Sequence, residues 1–264
     1  MPYDDPMRWL NGLVLAAVAV GCGHREDALG SGSPPVDGAT QVTTFVYAHS
    51  ARTLYRIDPD ALTVTPVGNF TCSEMISDIA IDKSGVMIGI SFTSVYRIDP
   101  LTAEATLLAG ELEGSINGLS FVPAQQFGQV GDDVLIATRN ADGNVYRIDP
   151  TTGVYKQIGS TGTVRSSGDL VSIAGFGTML TVEMGSQPDA LARLAPQSFT
   201  ATQIGSTGYD QIWGLAYWKN RLFGFTNTGQ FLLIDPVDGR ATVIEQTGVA
   251  WWGAAVITTA PVLY

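Results

Sequence analysis

The sequence predicts an all-β fold: a five-bladed β-propeller of four-stranded blades, the first blade closed by the C-terminal strand. Three observations carry this. An aromatic-Arg-Ile-Asp-Pro string recurs at 55–59, 96–100 and 146–150, with degenerate copies at 192–196 and 232–236. Its Asp column falls at 58, 99, 149, 195 (here Ala195) and 235, spacings of 41, 50, 46 and 40 residues that mark a repeat architecture. Finally, the first copy lacks a leading strand, and the chain end carries a spare one: 252–257 aligns with 213–217. Pairing the two ends closes the ring and removes its long exposed edges.

The chain begins with a targeting segment, residues 1–21. Arg8 precedes the apolar run 13–20, which is too short for the roughly 20 residues that span a bilayer. Ala19-Val20-Gly21-Cys22 resembles the lipobox of bacterial lipoproteins, with Ala19 where Leu is usual. The resemblance implies cleavage before Cys22 and lipidation of Cys22. Gly23 after it implies the outer rather than the inner membrane of a bacterial cell envelope. Residues 22–41, rich in Gly, Ser and Pro, read as a flexible tether. Without Cys22, Cys72 stands alone and no internal disulfide forms.

Residues 42–258 are expected to form the propeller and 259–264 a C-terminal tail. Apolar strands are expected just before each repeat string, at 43–50, 86–91, 133–139, 178–184 and 221–227. Inner strands precede these at 77–82, 117–122, 169–174 and 213–218. Outer strands follow, ending in Gly, as at Gly110 and Gly159. Asp-Pro-x-x-Gly, as in Asp149–Gly153, suits a turn: Asp opens it, Pro presets φ and Gly takes the left-handed slot. Arg56, Arg97 and Arg147 share a strand face with their Asp, where an ion pair is expected. With its Y-R-I-D-P-x-T-G…I-G signature, the chain resembles bacterial extracytoplasmic propellers with YVTN/NHL-like repeats, a likeness specific for fold and not for activity.

A net charge of −11 argues against nucleic acid, whose phosphates need a basic face. The folded part has one histidine, His49, and no Gly-x-Ser-x-Gly elbow, which disfavours nucleophilic triads and His/Cys metal centres. In a propeller, ligands meet the mouth of the central channel. Aligning the inner strands places one column there: Ser77, Asn117, Asp169, Trp213 and Trp252. Tyr209, Asp210, Glu74, Asp78 and Trp251 surround it, and His49, Arg139, Asn140 and Asp142 come from the other loops.

Flat aromatic faces stack on sugar rings or cap apolar side chains, while amides and carboxylates orient the ligand. The expected contacts are therefore Asn117, Asp169, Tyr209, Trp213 and Trp252, with a carbohydrate or protein partner in the envelope and a membrane link through Cys22. The tryptophans could equally pack between blades at the seam. Trp251 and Trp252 face opposite ways, so at most one reaches a ligand.

Two other classes remain. One is a hydrolase, a metal-dependent lactonase or a glycosidase, using Asp78, Asp169 and Asp210. The other is an envelope scaffold without a small ligand. No cofactor is expected, save a Ca²⁺ held by Asp78, Asn117 and Asp169, similar to propeller lactonases but ligand-poor because two column positions are Trp.

Overall fold

In the computed structural model, which describes residues 46–263, five four-stranded antiparallel sheets form a five-bladed β-propeller. Blade 1 runs, from the inside out, β20 (Gly253–Ala255), β1 (Val46–His49), β2 (Thr53–Asp58) and β3 (Thr63–Asn69). Blade 2 is β4 (Asp78–Ile81), β5 (Met87–Ile90), β6 (Val95–Ile98) and β7 (Ala105–Ala109). Blade 3 is β8 (Ile116–Val122), β9 (Val134–Arg139), β10 (Asn144–Ile148) and β11 (Tyr155–Ser160). Blade 4 comprises β12 (Ser166–Ile173), β13 (Gly177–Met184), β14 (Gln187–Leu194) and β15 (Ala201–Ser206). Blade 5 comprises β16 (Ile212–Trp218), β17 (Arg221–Thr226), β18 (Gln230–Ile234) and β19 (Ala241–Gln246). The expected closure forms: β20 pairs with β1 in the register Tyr47↔Ala255, Ala48↔Ala254 and His49↔Gly253.

Burial falls from the axis outward. The inner strands are covered on both faces by neighbouring blades, and β4 is buried throughout. The outer strands β3, β7, β11, β15 and β19 are mostly exposed or half-buried. Each nevertheless sends one apolar side chain inward. A register shift interrupts every β2–β3-type pairing just at the repeat string, leaving Val67, Leu108, Ile158, Ile204 and Ile244 as the extra residue. Those five pack on the core. The apolar-then-Gly signature thus marks a β-bulge that bends the exposed edge strand.

The repeat's turn has a fixed backbone. Asp149 Oδ1 accepts the N–H groups of Thr151 and Thr152 at 2.8 and 3.0 Å, and Asp58, Asp99 and Asp235 act alike. The residue four places after the Asp position is left-handed in all five copies: Leu62, Ala103, Gly153, Phe199 and Gly239. Glycine is therefore the relaxed occupant and not the rule. The expected strand-face ion pairs are absent at Arg97–Asp99 and Arg147–Asp149 among the described residues. Their aspartates turn towards the turn N–H donors instead.

The segment after β20 crosses the far end of the channel. Thr258 accepts from Ala174 N–H in blade 4 at 2.8 Å and donates its hydroxyl to Asp133 in blade 3 at 2.6 Å. Pro261 and Val262 carbonyls accept from Lys219 N–H and the Tyr217 hydroxyl in blade 5. Ala260 is buried. Among the described residues no helix is long and apolar enough to cross a membrane. Cys22, the targeting segment and the tether lie outside the described residues.

Candidate ligand-binding site at the channel mouth

The five inner strands present two successive columns to the axis. Hydrogen bonds set the register: Asp78 Oδ2 accepts Leu119 N–H at 2.7 Å, and Asp169 Oδ2 accepts Leu215 N–H at 2.6 Å and Ala254 N–H at 3.3 Å. The deeper column is therefore Asp78, Gly118, Asp169, Gly214 and Gly253. The outer column is Ser77, Asn117, Gly168, Trp213 and Trp252. The sequence alignment slipped by one residue in blade 4, where Gly168 and not Asp169 stands beside Asn117. Blade 4 misled because Ser166-Ser167-Gly168 lacks the apolar residue found at Ile76, Ile116 and Ile212.

Asp78 and Asp169 are fully buried. Their second oxygens accept Ile79 N–H at 2.8 Å and Leu170 N–H at 2.6 Å, and the two carboxyl groups hydrogen-bond to each other across the axis. Burial raises both pKa values well above the usual carboxylate range; for Asp78 the charge of Asp169 adds to the effect. Asp169 accepts three backbone N–H groups to two for Asp78, which favours the charged form at Asp169 over that at Asp78.

The three glycines make room for this crossing. A Cβ on Gly253 would overlap both the Asp78 carboxylate and the His49 ring, and one on Gly118 would meet the Thr138 hydroxyl and Gly168 carbonyl. His49, also fully buried, sits beside Asp78. Burial lowers its pKa to about 4, Nδ1 lies 2.8 Å from the Ser50 carbonyl and Nε2 has no partner.

Above this layer opens a well of about 220 Å³. Its lining divides into two arcs. Trp213 from blade 5, Trp252 from blade 1 and Phe92 from blade 2 make the aromatic arc. Trp252 is its hub, edge-to-face with Trp213 at 6.0 Å and 86° and tilted at 58° to Phe92 at 6.3 Å. Ser77, Ser115, Asn117, Asn140 and Ser167 make the other arc, with hydroxyls and amides only. The Ser77 hydroxyl donates to Ile90 O at 3.1 Å, which leaves it free to accept. Asn117 Oδ1 is buried without a partner. No charged side chain lines the well.

Of the five expected contacts, Asn117, Trp213 and Trp252 meet in the well. Asp169 lies one layer below its floor, and Tyr209 is half-buried outside the lining. Trp251 is fully buried between Tyr55 and Phe225, so only one of the adjacent tryptophans faces the mouth. Phe92, an ordinary apolar loop residue in the sequence, occupies in blade 2 the loop position of Asn140 in blade 3. Asp210 is exposed in the loop before β16. Asp142 is engaged by Arg139, which also pairs with Glu113. Cys72 is half-buried against the blade 2 core, and burial raises its thiol pKa. Asp189, unremarked in the sequence, is buried and accepts Ile212 N–H at 2.9 Å; burial raises its pKa to about 6.

Asp78 and Asp169 have every oxygen engaged by N–H donors, which oppose a cation, and neither faces the well. Among the described residues no group of three or more His, Cys, Asp or Glu side chains is placed to hold a metal.

No family model matches the chain, and no curated protein matches it in sequence. Many solved chains share its fold. One, from the crystal structure of a nidogen/laminin complex, superposes with a TM-score of 0.53 at 10% identity, covering 84% of this chain and 99% of that one. At that identity the likeness shows the fold alone.

Proposed function

We propose that this propeller is a binding module, anchored to a bacterial envelope membrane through lipid on Cys22 and taking a carbohydrate or protein ligand at its channel mouth. The observation that carries the reading is the well itself: three aromatic rings on one arc and five hydroxyl or amide side chains on the other, with a buried acceptor left unpaired. The nidogen/laminin likeness, drawn from an assembly of two proteins, agrees with an interaction role. The net charge of −11 keeps nucleic acid away.

A glycan array and a pull-down from envelope extract test the site. The wild-type protein retains a ligand that Trp213→Ala loses; equal retention by both proteins rejects the mouth as the site. For the anchor, Cys22→Ser moves the protein from the membrane fraction to the soluble fraction. A variant that stays with the membrane removes lipidation from the account.

A further inference from the structure

Resting on the reading of the mouth as a binding site, we infer that the well takes one uncharged sugar ring, presented end-on from the terminus of a glycan. Three features of the well converge on this class.

Its two arcs are complementary to the two sides of a pyranose. The C–H face of a sugar ring is apolar and stacks on flat aromatic surface, which Trp252 and Trp213 provide. Its hydroxyls both donate and accept, and the opposite arc offers the hydroxyls and amides of Ser77, Ser115, Asn117, Asn140 and Ser167. A quaternary ammonium would satisfy the aromatic arc and leave that polar arc without partners. A purely apolar side chain would cover the hydroxyls and amides of that arc without giving them partners.

Charge narrows the class. With no cationic side chain in the lining and a net charge of −11, the well offers nothing to a carboxylate, sulfate or phosphate group. Uronic and sialic acid ends are therefore refused.

Depth sets the mode of entry. The hydrogen-bonded Asp78–Asp169 layer and the closely packed glycines beside it form a floor that no polymer threads. At about 220 Å³ the well is also smaller than the roughly 300–1,000 Å³ that enclose a drug-sized ligand. One ring enters and the rest of the chain stays outside.

The test is calorimetric titration of the full-length protein with methyl glycosides of neutral hexoses and N-acetylhexosamines, glucuronate, tetramethylammonium, and one neutral oligosaccharide with and without a uronic acid at its non-reducing end. At least one neutral glycoside binds, glucuronate and the capped oligosaccharide bind at least tenfold more weakly, and tetramethylammonium gives no heat. Trp252→Ala and Asn117→Ala each weaken the neutral sugar at least tenfold, while Trp252→Phe, which keeps a flat face, retains most of the affinity. Circular dichroism confirms that each variant is folded. Equal binding of the capped oligosaccharide overturns end-on entry. If tetramethylammonium or an envelope protein binds in a Trp252-dependent way and no neutral sugar does, the sugar assignment falls and the mouth reading survives. If no partner depends on Trp252 or Trp213, both fall.

Discussion

Asp169 stitches three blades together with one side chain. Its two oxygens take N–H groups from its own strand β12, from β16 and from β20, and its carboxyl group meets that of Asp78. A carboxylic acid pair supplies four acceptor oxygens and one donor; an asparagine supplies only one acceptor oxygen. Asp169→Asn therefore turns an NH₂ group against a backbone N–H, and unfolding by denaturant is expected to show a loss of about 2–4 kcal/mol, since each stranded N–H costs about 1–3. A loss under 0.5 kcal/mol would mean that the layer contributes little.

The same pair sets a pH dependence whose sign is the reverse of ordinary acid unfolding. Carboxyls with raised folded pKa values stabilise most below the unfolded value of 3.8, and the contribution drains away as pH rises towards the raised values. His49 runs the other way: lowered to about 4, it stabilises fully above 6.5 and loses that between 6.5 and 4. Above pH 6.5 the His49 contribution is constant, and those of the groups held high by burial, the aspartate pair and the Cys72 thiol, can only decline, so the melting temperature is expected to fall and not rise towards alkaline pH. Melts at fixed ionic strength that rise steadily to pH 9 would contradict the assignment.

At the scale of elements, the five left-handed turn positions differ in what a side chain meets. Gly239 has φ +83°, and an added Cβ would lie 2.6 Å from the Gly205 carbonyl of the adjacent blade. Gly239→Ala is expected to cost about 2 kcal/mol or more by combining left-handed strain with that clash, read as a lowered denaturant midpoint. Ala103 and Phe199 show that the left-handed conformation is tolerated at this position by residues other than glycine.

Much of this level is legible in the sequence because local chemistry and global fold agree. Asp, Pro and the turn residues mark the outer hairpins, and short apolar runs mark the strands, to within a few residues of their ends. Blade 4 is the exception. There Ala195 replaces Asp and Ser166-Ser167-Gly168 blurs the inner-strand pattern, so Asp169 was placed one step too high. The carboxyl pair stays hidden for a different reason. Its members are separated by 91 residues and become neighbours only once five strands converge. The well is partly readable: Trp213, Trp252 and Asn117 stand out as departures from the repeat, whereas Phe92 looks like any apolar residue in a loop.

At the scale of the whole molecule, the two ends of the channel are treated differently. The mouth stays open over a shallow floor, and the far end is crossed by the segment after β20, held by Asp133, Ala174, Tyr217 and Lys219. Removing residues 258–264 is expected to keep the ring closed and to lower stability by about 3 kcal/mol, from several lost hydrogen bonds of about 1 each. Ending the chain before Gly253 removes β20 as well, leaves β1 unpaired on its inner side, and is expected to abolish cooperative unfolding. Thermal melts of both truncations distinguish the cases; identical curves would mean that the closing strand is dispensable.

Closure by the last strand also imposes an order in time. A ribosome delivers β1 among the first residues of the propeller and β20 among the last, so blade 1 waits for the other four blades to be made. Throughout that interval the inner edge of β1, Val46 to His49, presents unpaired N–H and C=O groups to any other extended chain. The nascent propeller is thus most open to misassembly just before β20 is made. Any partner that held this edge during synthesis would keep the ring open until β20 arrives.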